Sequence, residues 1–106
     1  MPAAEAMAMS LPVIVTNHSG LTAFATDNNS YLIPVDETTV DPYGYVEPDV
    51  DALIALLRRV VSNVDERRAK GRAGRATIAA VTPESVASLM SARVRDLVGR
   101  RGWFDY

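Results

Sequence analysis

Leu11-Pro12-Val13-Ile14-Val15-Thr16, followed at once by Asn17-His18-Ser19-Gly20, decides the class of the fold. Four consecutive residues, three of them valine or isoleucine, read as a short strand buried on both faces. Polar and glycine residues directly after it read as a loop at the strand's carboxyl end. Working backward, Pro2 to Met9 reads as a short helix, with proline at its first position and alanine, methionine and glutamate to propagate it. Ser10-Leu11-Pro12 stops that helix, because a residue before proline avoids helical angles. Working forward, Leu21 to Ala25 offers one helical turn, and Asp27-Asn28-Asn29-Ser30 is turn chemistry. Tyr31-Leu32-Ile33-Pro34-Val35 then reads as a second short strand. A helix, a strand, a loop and a strand point to an α/β class with parallel strands. Two strands are few for a stable sheet, which suggests that neighbours are missing.

The rest of the chain reads as a loop and three helices. Residues 36–49 are polar and contain Asp41-Pro42-Tyr43-Gly44-Tyr45, so a long surface loop is expected. Val50, Leu53, Ile54, Leu57, Val60 and Val61 recur at helical spacing as one apolar stripe, with Asp49 as N-cap. Asp65-Glu66 opens a basic helix through about Ala80, with acids first and arginines later to suit the helix dipole. Thr82-Pro83-Glu84-Ser85 is a start signal for a third helix, whose stripe is Val86, Leu89, Met90, Val94, Leu97 and Val98. Residues 99–106 read as a tail whose Trp103, Phe104 and Tyr106 seek a surface. Lys70-Gly71-Arg72-Ala73-Gly74 has the composition of a phosphate loop but follows no strand. It reads instead as a surface helix that tolerates glycine.

Composition narrows the function classes. A chain of 106 residues allows one small domain. It has no cysteine, which excludes disulfides and thiolate metal sites and makes a reducing, cytoplasmic compartment the expectation. No apolar run reaches the ~20 residues that span a bilayer. The Asn-x-Ser sites at Asn17 and Asn28 read as chance matches without a secretory leader. The net charge of -2 hides an asymmetry, since all eleven basic residues lie from Arg58 onward. Aromatic residues do not interleave with the arginines, so nucleic acid is not expected as a partner.

Pro2-x-x-Glu5-Ala6-Met7-Ala8, Leu11-Pro12-Val13-Ile14-Val15-Thr16 and Ser19-Gly20 together resemble the C-terminal, donor-binding domain of retaining GT-B fold glycosyltransferases (group 1, family 4 type). Asn29-Ser30-Tyr31-Leu32-Ile33-Pro34 and Glu47-Pro48-Asp49-Val50-Asp51-Ala52-Leu53 are also similar to that family. The resemblance covers residues 1–98 and implies a partial Rossmann-like domain, with two short parallel strands followed by three helices. It implies transfer of a sugar, with retention, from a nucleoside diphosphate sugar to an acceptor, with no cofactor and no metal. Glu5 matches the second glutamate of the family's Glu-x7-Glu motif, which accepts hydrogen bonds from the donor's ribose hydroxyls. A carboxylate suits a vicinal diol, because its two oxygens accept together.

Three departures mark the chain as a fragment expected to be inactive alone. The first glutamate of the motif would precede Met1. No cation occurs before Arg58, although a diphosphate needs cations, a metal or several amides. Ser10 stands where the family commonly has glycine; a left-handed serine there costs roughly 1–2 kcal/mol. The donor-binding set is Glu5 with Thr16, Asn17, His18 and Gly20, because ligands of α/β sheets sit beyond the carboxyl ends of strands. No catalytic residue is assigned. His18 is the only histidine, and either a ligand contact or a loop hydrogen bond would account for it. The competing expectation is a small non-enzymatic helical module that binds a partner protein. On the fragment reading the missing strands expose an apolar sheet edge, which predicts self-association or low stability.

Overall fold

A computed structural model describes residues 2–101; the aromatic tail residues Trp103, Phe104 and Tyr106 lie outside the described residues. Helix α1 spans Pro2–Ala8 and strand β1 spans Ile14–Thr16. A 3-10 turn at Ser19–Ala23 leads toward strand β2, Tyr31–Ile33. Helices α2 (Val50–Ser62), α3 (Val64–Ala79) and α4 (Pro83–Arg101) follow. β1 and β2 pair in parallel, as the sequence predicts, in a register that sets Ile14 opposite Tyr31 and Thr16 opposite Ile33.

α1 ends in a Schellman motif. Leu11 N–H donates to Ala6 O at 3.0 Å and Ser10 N–H donates to Met7 O at 2.9 Å. Ser10 sits at φ +60°, the left-handed position that usually takes glycine. The chain can then reverse into Pro12 and β1 with the carbonyls of Glu5, Ala6 and Met7 paired.

α3 packs on this corner, and here the sequence reading needs correction. Lys70, Gly71 and Gly74 are the buried residues of α3 rather than an outer surface. A side chain at Gly71 would overlap the backbone carbonyl of Ser10, and a Cβ at Gly74 would lie 3.2 Å from Met7 Cγ. The glycines therefore serve close helix approach. Met7, Val13, Val15 and Ala25 form the core cluster, with Ala3, Ala6, Leu21, Phe24, Leu32 and Ile78 around it.

Other boundaries shift for local reasons. β1 buries Val15 while Ile14 and Thr16 are only half covered, because this small sheet has one well-covered face. Residues 36–49 are not structureless. Asp36 caps a short 3-10 turn at Glu37–Thr39, and Val35 bridges Pro48. α3 starts at Val64, one residue before the expected Asp65, because Asn63 accepts from Glu66 N–H at 3.0 Å. Thr82 and Ser85 cap α4 reciprocally, each side chain accepting from the other's N–H at 3.1 and 3.0 Å. α4 then runs through Gly99 to Arg101, beyond the expected start of the tail.

The stripe of α2 takes an unexpected direction. Asp49 caps the helix as predicted, accepting from Ala52 N–H at 3.0 Å. Yet Val50, Ile54, Leu57 and Val61 are exposed, and Ala52, Leu56 and Arg59 line the side toward Leu32 and Pro34. The packed pairs are α1 on α3, β1 on β2, and α2 on both α3 and β2.

Candidate functional site

The carboxyl ends of the two parallel strands position the loop that the sequence singles out. Asn17 N–H donates to Ile33 O at 2.9 Å, continuing the ladder one residue past β1. His18 is extended (φ -154°, ψ 151°), its N–H donating to Thr16 O at 2.8 Å. Its side chain makes no capping hydrogen bond to the 3-10 turn that follows. Ser19 adopts φ +60°, and Thr22 Oγ1 donates to Ser19 O at 2.7 Å. Thr16 and His18 are half-buried, while Asn17 and Gly20 are exposed. A Cβ on Gly20 would meet nothing within 4 Å, so open space surrounds that backbone.

Glu5 is exposed on α1, and among the described residues its carboxylate makes no ion pair or hydrogen bond. It borders a cleft of about 250 Å³ lined by Ala4, Ala8, Phe24, Ile78 and Val81. Thr16, Asn17, His18 and Gly20 do not line that cleft. Phe24, which closes the 3-10 turn after them, is the link between loop and cleft. An adjoining hollow shares Ala8, Ile78 and Val81 and adds Arg75 of α3. The fold thus sets a cation beside the neighbourhood of Glu5, although no basic residue is close in sequence.

A second polar centre went unseen in the sequence. It forms where the turn before β2 meets α3. Asn29 is buried; its Nδ2 donates to Phe24 O at 2.8 Å and Thr77 Oγ1 at 3.0 Å, and its Oδ1 accepts from Thr26 N–H at 2.8 Å. Ser30 Oγ donates to Thr26 O at 2.6 Å. Lys70 Nζ donates to the carbonyls of Asp27 and Ser30, the latter at 2.9 Å, and lies 3.8 Å from the Asp27 carboxylate. The ammonium also stands 4.8 Å from the centroid of the Tyr31 ring. The chain has a single lysine among its eleven basic residues, and that lysine adjoins a Gly-x-x-Gly spacing. Those two features were the available signal that this face of α3 is special.

Tyr31 is buried, and among the described residues its hydroxyl has no hydrogen-bond partner. Burial pushes its pKa up, the Glu66 carboxylate adds to this, and Arg59 and Arg67 oppose it. Arg59 lies over the same ring at 5.6 Å and pairs with Glu66, Arg59 Nε donating to Glu66 Oε2 at 2.9 Å. That pair lowers the pKa of Glu66 and raises that of Arg59. The cluster welds α2, α3 and β2 together, since every group but the Tyr31 hydroxyl is engaged.

Asp36, Glu47 and Asp49 border a third hollow of about 340 Å³ with Pro34, Val35 and Thr39. Asp36 accepts from Thr38 N–H and Oγ1, which lowers its pKa, and Asp49 caps α2. Two of the three carboxylates therefore already have local work. Among the described residues no group of three histidine, aspartate or glutamate side chains is placed to hold a metal ion. Nor is any helix among them long and apolar enough to cross a membrane. No family model, curated protein or solved structure matches this chain.

Proposed function

We propose that this chain is part of the donor-binding half of a retaining glycosyltransferase with two Rossmann-like domains. Its donor would be a nucleoside diphosphate sugar whose ribose hydroxyls hydrogen-bond to Glu5. The observation that carries the reading is the free, solvent-facing carboxylate of Glu5 on a helix that turns through Ser10 into a parallel strand. An unpaired carboxylate offers two acceptors to a vicinal diol. Open backbone at Gly20 and Arg75 in the adjoining hollow suit the rest of such a ligand. The competing reading, a helical module that binds a partner protein, draws on the outward apolar stripes of α2 and α4.

The test is a nuclear magnetic resonance titration with uridine, guanosine and adenosine diphosphate sugars at millimolar concentration. Weak binding is expected, with amide shifts at Glu5 and Thr16–Gly20 that vanish in Glu5→Ala, and no turnover. Shifts confined to other regions, or none, would overturn the donor site. Micromolar affinity would show instead that the chain already holds a complete site.

A further inference from the structure

We propose that α2 is a self-association surface, pairing antiparallel with α2 of a second copy of this chain. Glu5 takes no part in this surface, so its test and the test of the donor site have separate outcomes. Val50, Ile54, Leu57 and Val61 are between 42% and 73% exposed, and together they form one straight stripe. At about 100° per residue all four fall within a narrow arc, with Leu53 and Val60 along one flank and Asp51 and Arg58 along the other. A solvated stripe of four large aliphatic residues on a well-capped helix calls for a cover.

The order of residues says what covers it. The spacing four, three, four reads the same in both directions about the point between Ala55 and Leu56. A twofold axis there sets Val50 against Val61 of the second copy, and Ile54 against Leu57 of the second copy. This is the self-complementarity that a closed dimer requires. The same operation lays the charged flank of one helix beside the charged flank of the other. Asp51 then falls two residues, about 3 Å along the axis, from Arg58 of the second copy. Both side chains are exposed, and neither forms an ion pair among the described residues. A parallel pair would instead face Asp51 and Arg58 with the apolar flank of Leu53 and Val60. Charge placement therefore favours the antiparallel arrangement. Two helices of 13 residues bury little area, so the dimer is weak and concentration-dependent.

Sedimentation equilibrium of the whole chain over micromolar to millimolar concentrations tests this. The wild-type mass should rise from that of one chain toward that of two. Leu57→Glu should keep the helical circular dichroism and stay monomeric. Asp51→Lys and Arg58→Glu should each weaken association, by about tenfold for two lost pairs. Mixing those two variants one to one should restore it, since the mixed dimer regains opposite charges at both ends. A wild-type chain that stays monomeric at millimolar concentration overturns the proposal. Association unchanged in Leu57→Glu overturns it too, and assigns the contact to the sheet edge or α4. A mixture no stronger than its components excludes the antiparallel register.

Discussion

Ser10 holds a left-handed backbone without the freedom of glycine. Its φ of +60° closes α1, and its carbonyl is the surface on which Gly71 rests. Ser10→Gly should raise the unfolding free energy by about 1 kcal/mol, read by urea titration, because the strain of a Cβ at that angle disappears. The reverse experiment is Gly71→Ala. Its methyl would run into backbone rather than a flexible side chain, so a loss of about 2 kcal/mol or more is expected. Gly74→Ala should cost less, since its closest neighbour is the movable Met7 side chain. Negligible effects at both glycines would mean that α1 and α3 are not in close contact.

Tyr31 makes a pH prediction at the same scale. Its folded pKa is raised by burial, above the ordinary value of about 10. Below pH 10 the phenol is protonated in both states and stability is unaffected. Above it the unfolded chain ionises first, so stability falls as the pH climbs from about 10 through the folded value. Urea titrations at pH 8 and pH 11 should show this loss, and Tyr31→Phe should remove Tyr31's share of it. The same substitution should leave stability at pH 8 unchanged or about 1 kcal/mol higher, because it deletes a buried hydroxyl without a partner.

At the scale of elements, the helices divide by what they touch. α3 is held along one face by Lys70, Gly71, Gly74 and Thr77. Lys70→Met should destabilise the fold by about 2 kcal/mol, because the carbonyls of Asp27 and Ser30 lose their donor. α4 belongs to none of the principal packed pairs, and Leu89, Met90 and Val94 are exposed along it. Its amides should exchange with deuterium faster than those of α3, despite its good cap and greater length. Thr82→Ala should shorten α4 by circular dichroism and cost about 1 kcal/mol of helix stability. Uniform protection across α3 and α4 would show that α4 is anchored after all.

The molecule as a whole is extended. Its radius of gyration is 18.3 Å, with extents of 64 × 35 × 18 Å. A compact chain of this length would have a radius of about 13 Å. Among the described residues the buried apolar set is small, with Met7 and Tyr31 as its only large side chains below 2% exposure. Small-angle scattering at dilution should return about the observed radius, and dimerisation through α2 should raise it. With so small a core, cooperative unfolding should expose little area and give a low urea m-value for the chain's length.

Much of this architecture lies in local chemistry. The β-branched run at 13–16, the stop at Ser10-Leu11-Pro12, the start at Thr82-Pro83 and the cap at Asp49 specify helices and strands through backbone sterics and hydrogen bonds within a few residues. Those effects are readable in order along the chain. The exposed carboxylate of Glu5 and the loop after β1 were legible for the same reason, as positions on identifiable elements. The rest depended on which faces meet. Periodicity shows that α2 is amphipathic, but only packing reveals that its apolar stripe points outward while Ala52 and Leu56 face β2. Composition makes Lys70-Gly71-Arg72-Ala73-Gly74 look like a solvated surface. The tertiary structure buries Lys70, Gly71 and Gly74 while Arg72 stays exposed, because Ser10's carbonyl and Met7 leave little room beyond glycine on that face. Arg75 came to the hollow beside Glu5 across seventy residues of chain, and Lys70 reached the turn before Tyr31 across forty. Contacts of that separation follow from how α3 docks on α1, and no local pattern encodes the angle at which two helices meet.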